Sequence, residues 1–189
     1  MRRPAFSLIA VALAASSLFG CTPAPPPAPP VVVAAPVPPK PEPPTQNAPM
    51  CARAAEKDAF DVSALKSNLM VTAVTCKSEE RYNTFIRQFQ PYLASNDKTL
   101  TGYFNRAYGK RAQSQQDDYI TSLANAQSQF GIRHGTLFCE QNLGLFDEVM
   151  TLKSPTELPG FAAAKPIQQA LAVQECPSAP PPTPAKKKP

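Results

Sequence analysis

Residues 78–93 read SEERYNTFIRQFQPYL, and the apolar residues among them repeat with the period of an α-helix. Counted from residue 82, they stand at the first, fourth, fifth, eighth, eleventh and twelfth positions: Tyr82, Phe85, Ile86, Phe89, Tyr92 and Leu93. Ser78 is a suitable N-cap, and two glutamates follow where the positive end of a helix favours anions. Pro91 lacks an amide hydrogen, so we expect the helix to kink or end near Gln90.

Helical spacing recurs on both sides of this stretch. The further segments are Leu65 to Cys76 behind a cap at Asp61 or Ser63, Leu100 to Tyr108, Ala112 to Phe130, and Cys139 to Met150. Gly109 stands where a helix commonly stops, and a short turn is expected at residues 154–157, closed by Pro159 and Gly160. The only hint of a strand is an extended piece over residues 170–173. The sequence therefore predicts an all-α bundle of about five helices with short connections.

Proline-rich segments flank the part of the chain that can fold. Residues 22–49 contain 13 prolines, and residues 177–189 contain six. Proline fixes φ and removes a hydrogen-bond donor, so such runs favour the extended polyproline II form and cannot bury a core. We therefore expect one helical domain over residues 50–176, preceded by a linker over 21–49 and followed by a disordered, basic tail over 177–189.

The first 20 residues have the composition of a signal peptide. Two arginines precede an apolar run over residues 5–15, which is too short to span a bilayer as a helix. The run leads to LFGC, residues 18–21, which resembles the lipobox of bacterial lipoproteins. Phe19 departs from that pattern, because the class usually has a smaller residue there. The resemblance implies removal of residues 1–20 and acylation of Cys21.

This resemblance also implies a place in the cell. Acyl chains such as palmitate on Cys21 make the lipid bilayer the first expected partner, since several chains anchor a protein firmly whereas one does so only marginally. Thr22 stands where an aspartate is the usual signal for retention in the inner membrane. The expected location is therefore the outer membrane, facing the periplasm. Cleavage that leaves a free Cys21, or a leader that is not cleaved, is the alternative.

Four cysteines remain after Cys21, and their even number in a chain with an export leader predicts two disulfides. Four cysteines allow three pairings, and the spacing alone does not choose among them. We expect Cys76 to pair with Cys139, because both fall on core faces of predicted helices. We expect Cys51 to pair with Cys176, because the ends of a domain often lie close together. With no C-x-x-C motif, a structural role is expected for all four.

The charge distribution argues against nucleic acid as a partner. The chain has a net charge of +5, yet residues 50–176 contain 13 lysines and arginines against 13 aspartates and glutamates. The excess comes from the two arginines of the leader and the three lysines of the tail, since Lys40 and Glu42 of the linker cancel. A globular part without net charge does not indicate a groove for phosphates.

No recognised catalytic, cofactor or metal motif occurs in the sequence. His134 is the only histidine, so neither a zinc site of the usual spacing nor a Ser-His-Asp triad is indicated, and it is expected at the surface or as a cap. Asp117 and Asp118 are adjacent, but successive helical residues point about 100° apart, so they are expected to be surface charges rather than an acid–base pair. We therefore expect no metal and no cofactor.

One polar stretch is unusual. Residues 121–129, TSLANAQSQ, carry many amides and hydroxyls on a predicted helix and no charge. Such a face can hydrogen-bond sugar or peptide, but it can equally be a solvated helix face or a packed polar interface. The domain also resembles small helical lipoproteins of unassigned function from alphaproteobacteria, in the runs Phe60 to Cys76 and Asp118 to Cys139. That resemblance implies no activity.

Two functional hypotheses follow. The first is a non-enzymatic envelope lipoprotein, a tethered binding or scaffold module that contacts peptidoglycan or another envelope protein. The alternative is a cell-wall hydrolase with a lysozyme-like helical domain, which needs a general-acid carboxylate in an apolar pocket. Glu79, Glu140 and Glu157 are the candidate acids.

Overall fold

The computed structural model describes residues 40–177, and these are mostly helical, as predicted. The leader, Cys21 and the tail from residue 178 lie outside the described residues. The helices are α1 Ala54–Cys76, α2 Glu79–Tyr108, α3 Ala112–His134, α4 Leu137–Asn142, α5 Gly144–Met150 and α6 Leu158–Ala163. Short 3-10 turns lie at Gly109–Arg111 and Pro155–Glu157, and two short strands are β1 Gln46–Asn47 and β2 Leu171–Ala172.

The predicted count of five helices is wrong: within residues 40–177 there are four helices of seven residues or more, and two of six. The main reason is that the two predicted helices on either side of Pro91 form the single 30-residue helix α2. Pro91 is exposed, and so is Arg87, the residue whose carbonyl loses its helical hydrogen bond. The buried stripe meanwhile continues past it, with Phe89 1%, Leu93 5% and Leu100 1% exposed.

Other predicted bounds also move. Helix α1 begins at Ala54, well before the expected caps at Asp61 or Ser63. The predicted segment from Cys139 to Met150 is divided into α4 and α5 at Leu143, where the amide of Phe146 bonds three residues back to the Leu143 carbonyl. Pro159 does not close a turn but stands in the first turn of α6, where its missing amide hydrogen has no helical partner to lose.

Helix α1 is the centre of the fold and packs against α2, α3, α4 and α6. One core cluster surrounds Phe60 on its N-terminal half. The Phe60 ring lies 4.9 Å from Tyr103, 6.0 Å from Phe104 and 5.2 Å from Tyr119, measured between ring centroids. A second cluster lies around the C-terminal half and contains Val62, Leu65, Leu69, Phe85, Phe89, Phe146, Val149 and Leu158. Helix α1 thus joins the two clusters.

A buried carboxylate fixes the beginning of α1. Glu56 accepts a hydrogen bond from the Arg53 amide at 2.8 Å and forms an ion pair with Arg106 of α2. Burial on its own would raise the pKa of Glu56, but the Arg53 amide and the Arg106 guanidinium outweigh it, and the pKa lies below its ordinary value of 4.5. The charged form of Glu56 therefore stabilises the folded state.

This lowered pKa predicts acid sensitivity. A carboxyl group whose pKa falls on folding contributes stability above its unfolded pKa, and that contribution is lost as the pH drops through the folded value. We expect the free energy of unfolding to fall as the pH is lowered from about 5 to about 3, and to fall less steeply in Glu56→Gln. Urea denaturation at each pH measures this. Equal slopes for the Glu56→Gln variant and the wild type would contradict the assignment.

Both predicted disulfides are present. The Cα atoms of Cys51 and Cys176 are 4.9 Å apart, and those of Cys76 and Cys139 are 5.7 Å apart. The second bond ties the end of α1 to α4. The first bond closes a parallel ladder in which Gln46 pairs with Leu171, Asn47 with Ala172, and Ala52 with Glu175. This ladder holds the two ends of the described chain side by side.

No helix within residues 40–177 is both long enough and apolar enough to cross a membrane.

Candidate binding groove

The three candidate acids of a hydrolase lie far from the required environment. Glu79 is exposed in the first turn of α2, and Glu140 is exposed on α4. Glu157 is also exposed and accepts a hydrogen bond from the Lys153 amide at 3.0 Å. A general acid of this class needs an apolar pocket with a second group opposite. The structure does not bring the three glutamates into one.

The other sequence candidates have local roles. His134 packs on Phe130 with 4.1 Å between ring centroids, and its Nδ1 lies 2.6 Å from the Phe130 carbonyl oxygen. Asp117 and Asp118 are both exposed and accept hydrogen bonds from the side chains of Gln113 and Gln115 respectively. Within residues 40–177 no three histidine, cysteine or acidic side chains come together as metal ligands.

The polar stretch of α3 divides between the core and the surface. Gln127 is 1% exposed, and its Nε2 donates to the Ala64 carbonyl at 3.0 Å and to the Gln168 carbonyl at 3.1 Å. Ser122, Asn125 and Gln129 are exposed and lie on one face of the helix, three and four residues apart. The packed polar interface and the polar face suggested by the sequence therefore both occur, on opposite sides of α3.

Residues 41–48, which we call the strap, lie opposite this face. The side chain of Gln168 holds the strap by both of its groups: Oε1 accepts from the Glu42 amide at 2.9 Å, and Nε2 donates to the Glu42 carbonyl at 2.8 Å. Farther along, the Ala48 amide donates to the Ala172 carbonyl at 3.0 Å. Packed structure thus begins upstream of Met50, within the segment expected to be a linker. The reason is that the buried side-chain amide of Gln168 pairs with the backbone of Glu42, which the neighbouring prolines keep extended.

The strap and α3 enclose a groove made of two adjoining cavities. The first has a volume of about 320 Å³, is lined by Asn125, Gln129 and residues 42–46, and ends at Arg133. The second, of about 410 Å³, is lined by Tyr108, Gln115 and Asp118. Both cavities share Gln46, Ser122 and Ala170. We call this feature the α3 groove.

The charges of the α3 groove nearly cancel. Arg133 forms an ion pair with Glu42 of the strap at 3.3 Å, and both residues line the first cavity. In the second cavity Asp118 supplies a carboxylate, oriented by the Gln115 amide at 3.2 Å. The remaining polar groups are amides and hydroxyls. The groove is therefore equipped for directional hydrogen bonds rather than for binding a highly charged polymer.

An aromatic surface lies at one end of the groove. The Tyr108 ring is half-buried and stacks on Phe104, with centroids 5.7 Å apart and planes 15° from parallel. Tyr119 lines the same cavity, lies 5.7 Å from Phe104 between ring centroids, and is 3% exposed. Burial raises the pKa of Tyr119 well above its usual value, so the phenol stays protonated. The groove thus joins an apolar ring to a polar wall.

A third cavity, of about 310 Å³, lies under the other side of the strap, against α1. Its walls are mostly apolar and include Phe60 and Leu171. The two charges on α1 that line it, Lys57 and Asp61, are joined at 2.7 Å. Glu42 and Gln169 add polar groups to this cavity, but its lining has no row of amides and hydroxyls like that of the α3 groove.

We predict that the side chain of Gln168 contributes most to holding the strap in place. Removing the side chain in Gln168→Ala deletes two hydrogen bonds to Glu42, and we expect a loss of roughly 1 to 3 kcal/mol of stability. Amide exchange at Glu42 should rise at the same time. Gln169→Ala is the matched control and should leave the Glu42 amide protected. Unchanged exchange at Glu42 in Gln168→Ala would refute this role.

Comparison of the chain with protein-family models, with curated proteins and with solved structures finds no match.

Proposed function

We propose that this protein is a lipid-anchored binding module of the bacterial envelope that engages another envelope component through the α3 groove. The observation that carries the proposal is the groove itself: an exposed row of amides and hydroxyls on a long helix, facing a strap that a buried glutamine holds in place. Such a surface is pre-organised, and pre-organisation lowers the entropy lost on binding.

The two disulfides support the part of the proposal that concerns location. Cys51 and Cys176 are separated by 125 positions in the sequence, and Cys76 and Cys139 by 63, so both bonds close long loops. Disulfides of this kind form and persist in oxidising spaces such as the bacterial periplasm. Together with the lipobox-like residues 18–21, they favour an exported protein held by lipid on Cys21 over a cytoplasmic one.

The strap connects the proposed membrane anchor to the α3 groove. The chain enters the domain at residues 41–48, and the same residues form one wall of the α3 groove. The proline-rich residues 22–40 would act as the spacer between the membrane and this wall. A ligand in the groove would therefore be held at a distance set by that spacer. This suits a module that ties a membrane to a second layer of the envelope.

Photo-crosslinking in living cells tests the proposal. A photoreactive amino acid at Asn125 in the groove should form crosslinks to a defined protein or to wall fragments, identified by mass spectrometry. The same amino acid at Asn83, which is exposed on α2, is the matched control and should form none of these crosslinks. Identical products from both positions, or none from Asn125, would count against a binding role for the groove.

A further inference from the structure

We propose that the ligand of the α3 groove is a glycan strand, a chain of neutral sugar rings that bear hydroxyl and acetamido groups. This inference rests on the proposed function, because it names the ligand class for the same groove. It is carried by three features: an aromatic ring at one end, planar polar side chains beside it, and a row of amides that continues along the helix.

The aromatic ring is Tyr108. A sugar ring has an apolar face of C–H groups, and an aromatic side chain offers a flat surface of matching size for it. The Tyr108 ring is already held in place by stacking on Phe104, so its orientation does not have to be fixed when a ligand binds. The cavity that Tyr108 lines, about 410 Å³, has room for one or two sugar rings.

Planar polar groups stand beside this ring. Asp118 presents a carboxylate that can accept from two neighbouring hydroxyls, and Gln46 presents an amide that both donates and accepts. Ser122 adds a hydroxyl between the two cavities. Vicinal hydroxyls of a sugar are donors and acceptors a short distance apart, so they need planar groups of this kind. A purely apolar ligand would offer none of these three groups a hydrogen bond.

The row of amides extends the site beyond a single sugar. Asn125 and Gln129 lie one and two turns farther along α3 from Ser122, and each amide can pair with an acetamido group as donor and as acceptor. From Gln115 to Arg133 the helix axis runs about 27 Å, enough for several rings in a row. Arg133 and Glu42 neutralise each other at the far end. The length and near-neutrality of the groove indicate a polymer without strong charge.

The test measures binding of defined oligosaccharides to the full mature chain, made soluble by Cys21→Ser. Calorimetry with an N-acetylglucosamine tetramer should show binding, and a glucose tetramer of the same linkage should bind several-fold more weakly because it lacks the acetamido groups. Tyr108→Ala should weaken binding roughly tenfold, and Tyr108→Phe should restore it, because the ring rather than the hydroxyl is the contact.

Matched variants separate the groove from general effects. Asp118→Asn and Asn125→Ala should each weaken binding several-fold, whereas Asp117→Asn, the neighbouring carboxylate outside the groove, should leave it within about twofold. Co-sedimentation with purified peptidoglycan sacculi identifies the source of the glycan. Binding to the oligosaccharide but not to sacculi would assign the site to another polysaccharide of the same chemistry.

Two outcomes would overturn the inference. One is that neither oligosaccharide nor sacculi bind; the other is that binding is unchanged in Tyr108→Ala and Asp118→Asn. If Asn125 still forms crosslinks to a defined envelope protein in cells, the proposed function stands and only the glycan fails. If those crosslinks are absent as well, both fail.

Discussion

Loss of the Cys51–Cys176 disulfide, in the double variant Cys51→Ala with Cys176→Ala, should lower the free energy of unfolding by about 5 kcal/mol. The estimate comes from loop-closure entropy for two residues 125 positions apart, because the unfolded chain regains the freedom that the bond removed. The corresponding value for Cys76 and Cys139, 63 positions apart, is about 4 kcal/mol. Urea denaturation of each double variant measures both.

The two disulfide variants act as controls for each other. Without Cys51–Cys176, hydrogen exchange should rise at the amides of the ladder, among them Ala48 and Ala52, and the wall of the α3 groove should loosen. Without Cys76–Cys139, exchange should rise in α4 while the ladder stays protected. Losses below about 1 kcal/mol for both variants would show that the non-covalent core alone fixes the fold.

The second large effect is expected at Phe60. Its ring is 1% exposed and contacts aromatic rings from both α2 and α3. Phe60→Ala leaves a cavity at the junction of three helices, and we expect it to lower the free energy of unfolding by about 3 to 5 kcal/mol. Thermal or urea unfolding measures this directly.

Ile132 provides the comparison for Phe60. It is 71% exposed on α3, so Ile132→Ala should change stability by less than about 0.5 kcal/mol. Phe60→Leu should recover much of what Phe60→Ala loses, because it restores most of the buried volume. A stability of Phe60→Ala close to that of Ile132→Ala would contradict the central position assigned to the Phe60 cluster.

The all-α class could be predicted because it depends on strong, local signals, whereas both disulfide pairings rested on arguments about residues far apart in the sequence. The stripe from Tyr82 to Leu93 has the helical period, and core-facing cysteines at positions 76 and 139 point to each other. Helix bounds were harder. Pro91 is a reliable local breaker, but here its ring faces solvent, and the buried residues on both sides hold α2 together.

Helix α1 shows why a central element is hard to delimit from its pattern. Its N-terminal half buries small and polar residues such as Ala59, Ser63 and Ala64 in addition to Phe60. A helix that is covered on several sides lacks a clear polar face, so its apolar period is weak. The capping signal was equally indirect, because Glu56 closes the helix end together with Arg106, 50 residues away.

Only one of the two walls of the candidate site could be predicted from the sequence. The amides and hydroxyls of residues 121–129 stand out by composition, and four of them do line the α3 groove: Thr121, Ser122, Asn125 and Gln129. The opposite wall was not foreseen, because residues 41–48 have the composition of a linker and are held by distant contacts, with the Gln168 side chain at Glu42 and with the backbone of β2 at residues 46–48. No local period marks an extended segment fixed by a contact across 126 residues.

Intact-mass spectrometry of the mature protein from purified membranes is the most direct test of an exported, lipid-anchored and disulfide-braced module. The expected result is a chain that begins at Cys21, carries lipid on that residue and has no free thiol. An unmodified Cys21, or free thiols at the other four cysteines in protein recovered from the cytoplasm, would contradict it.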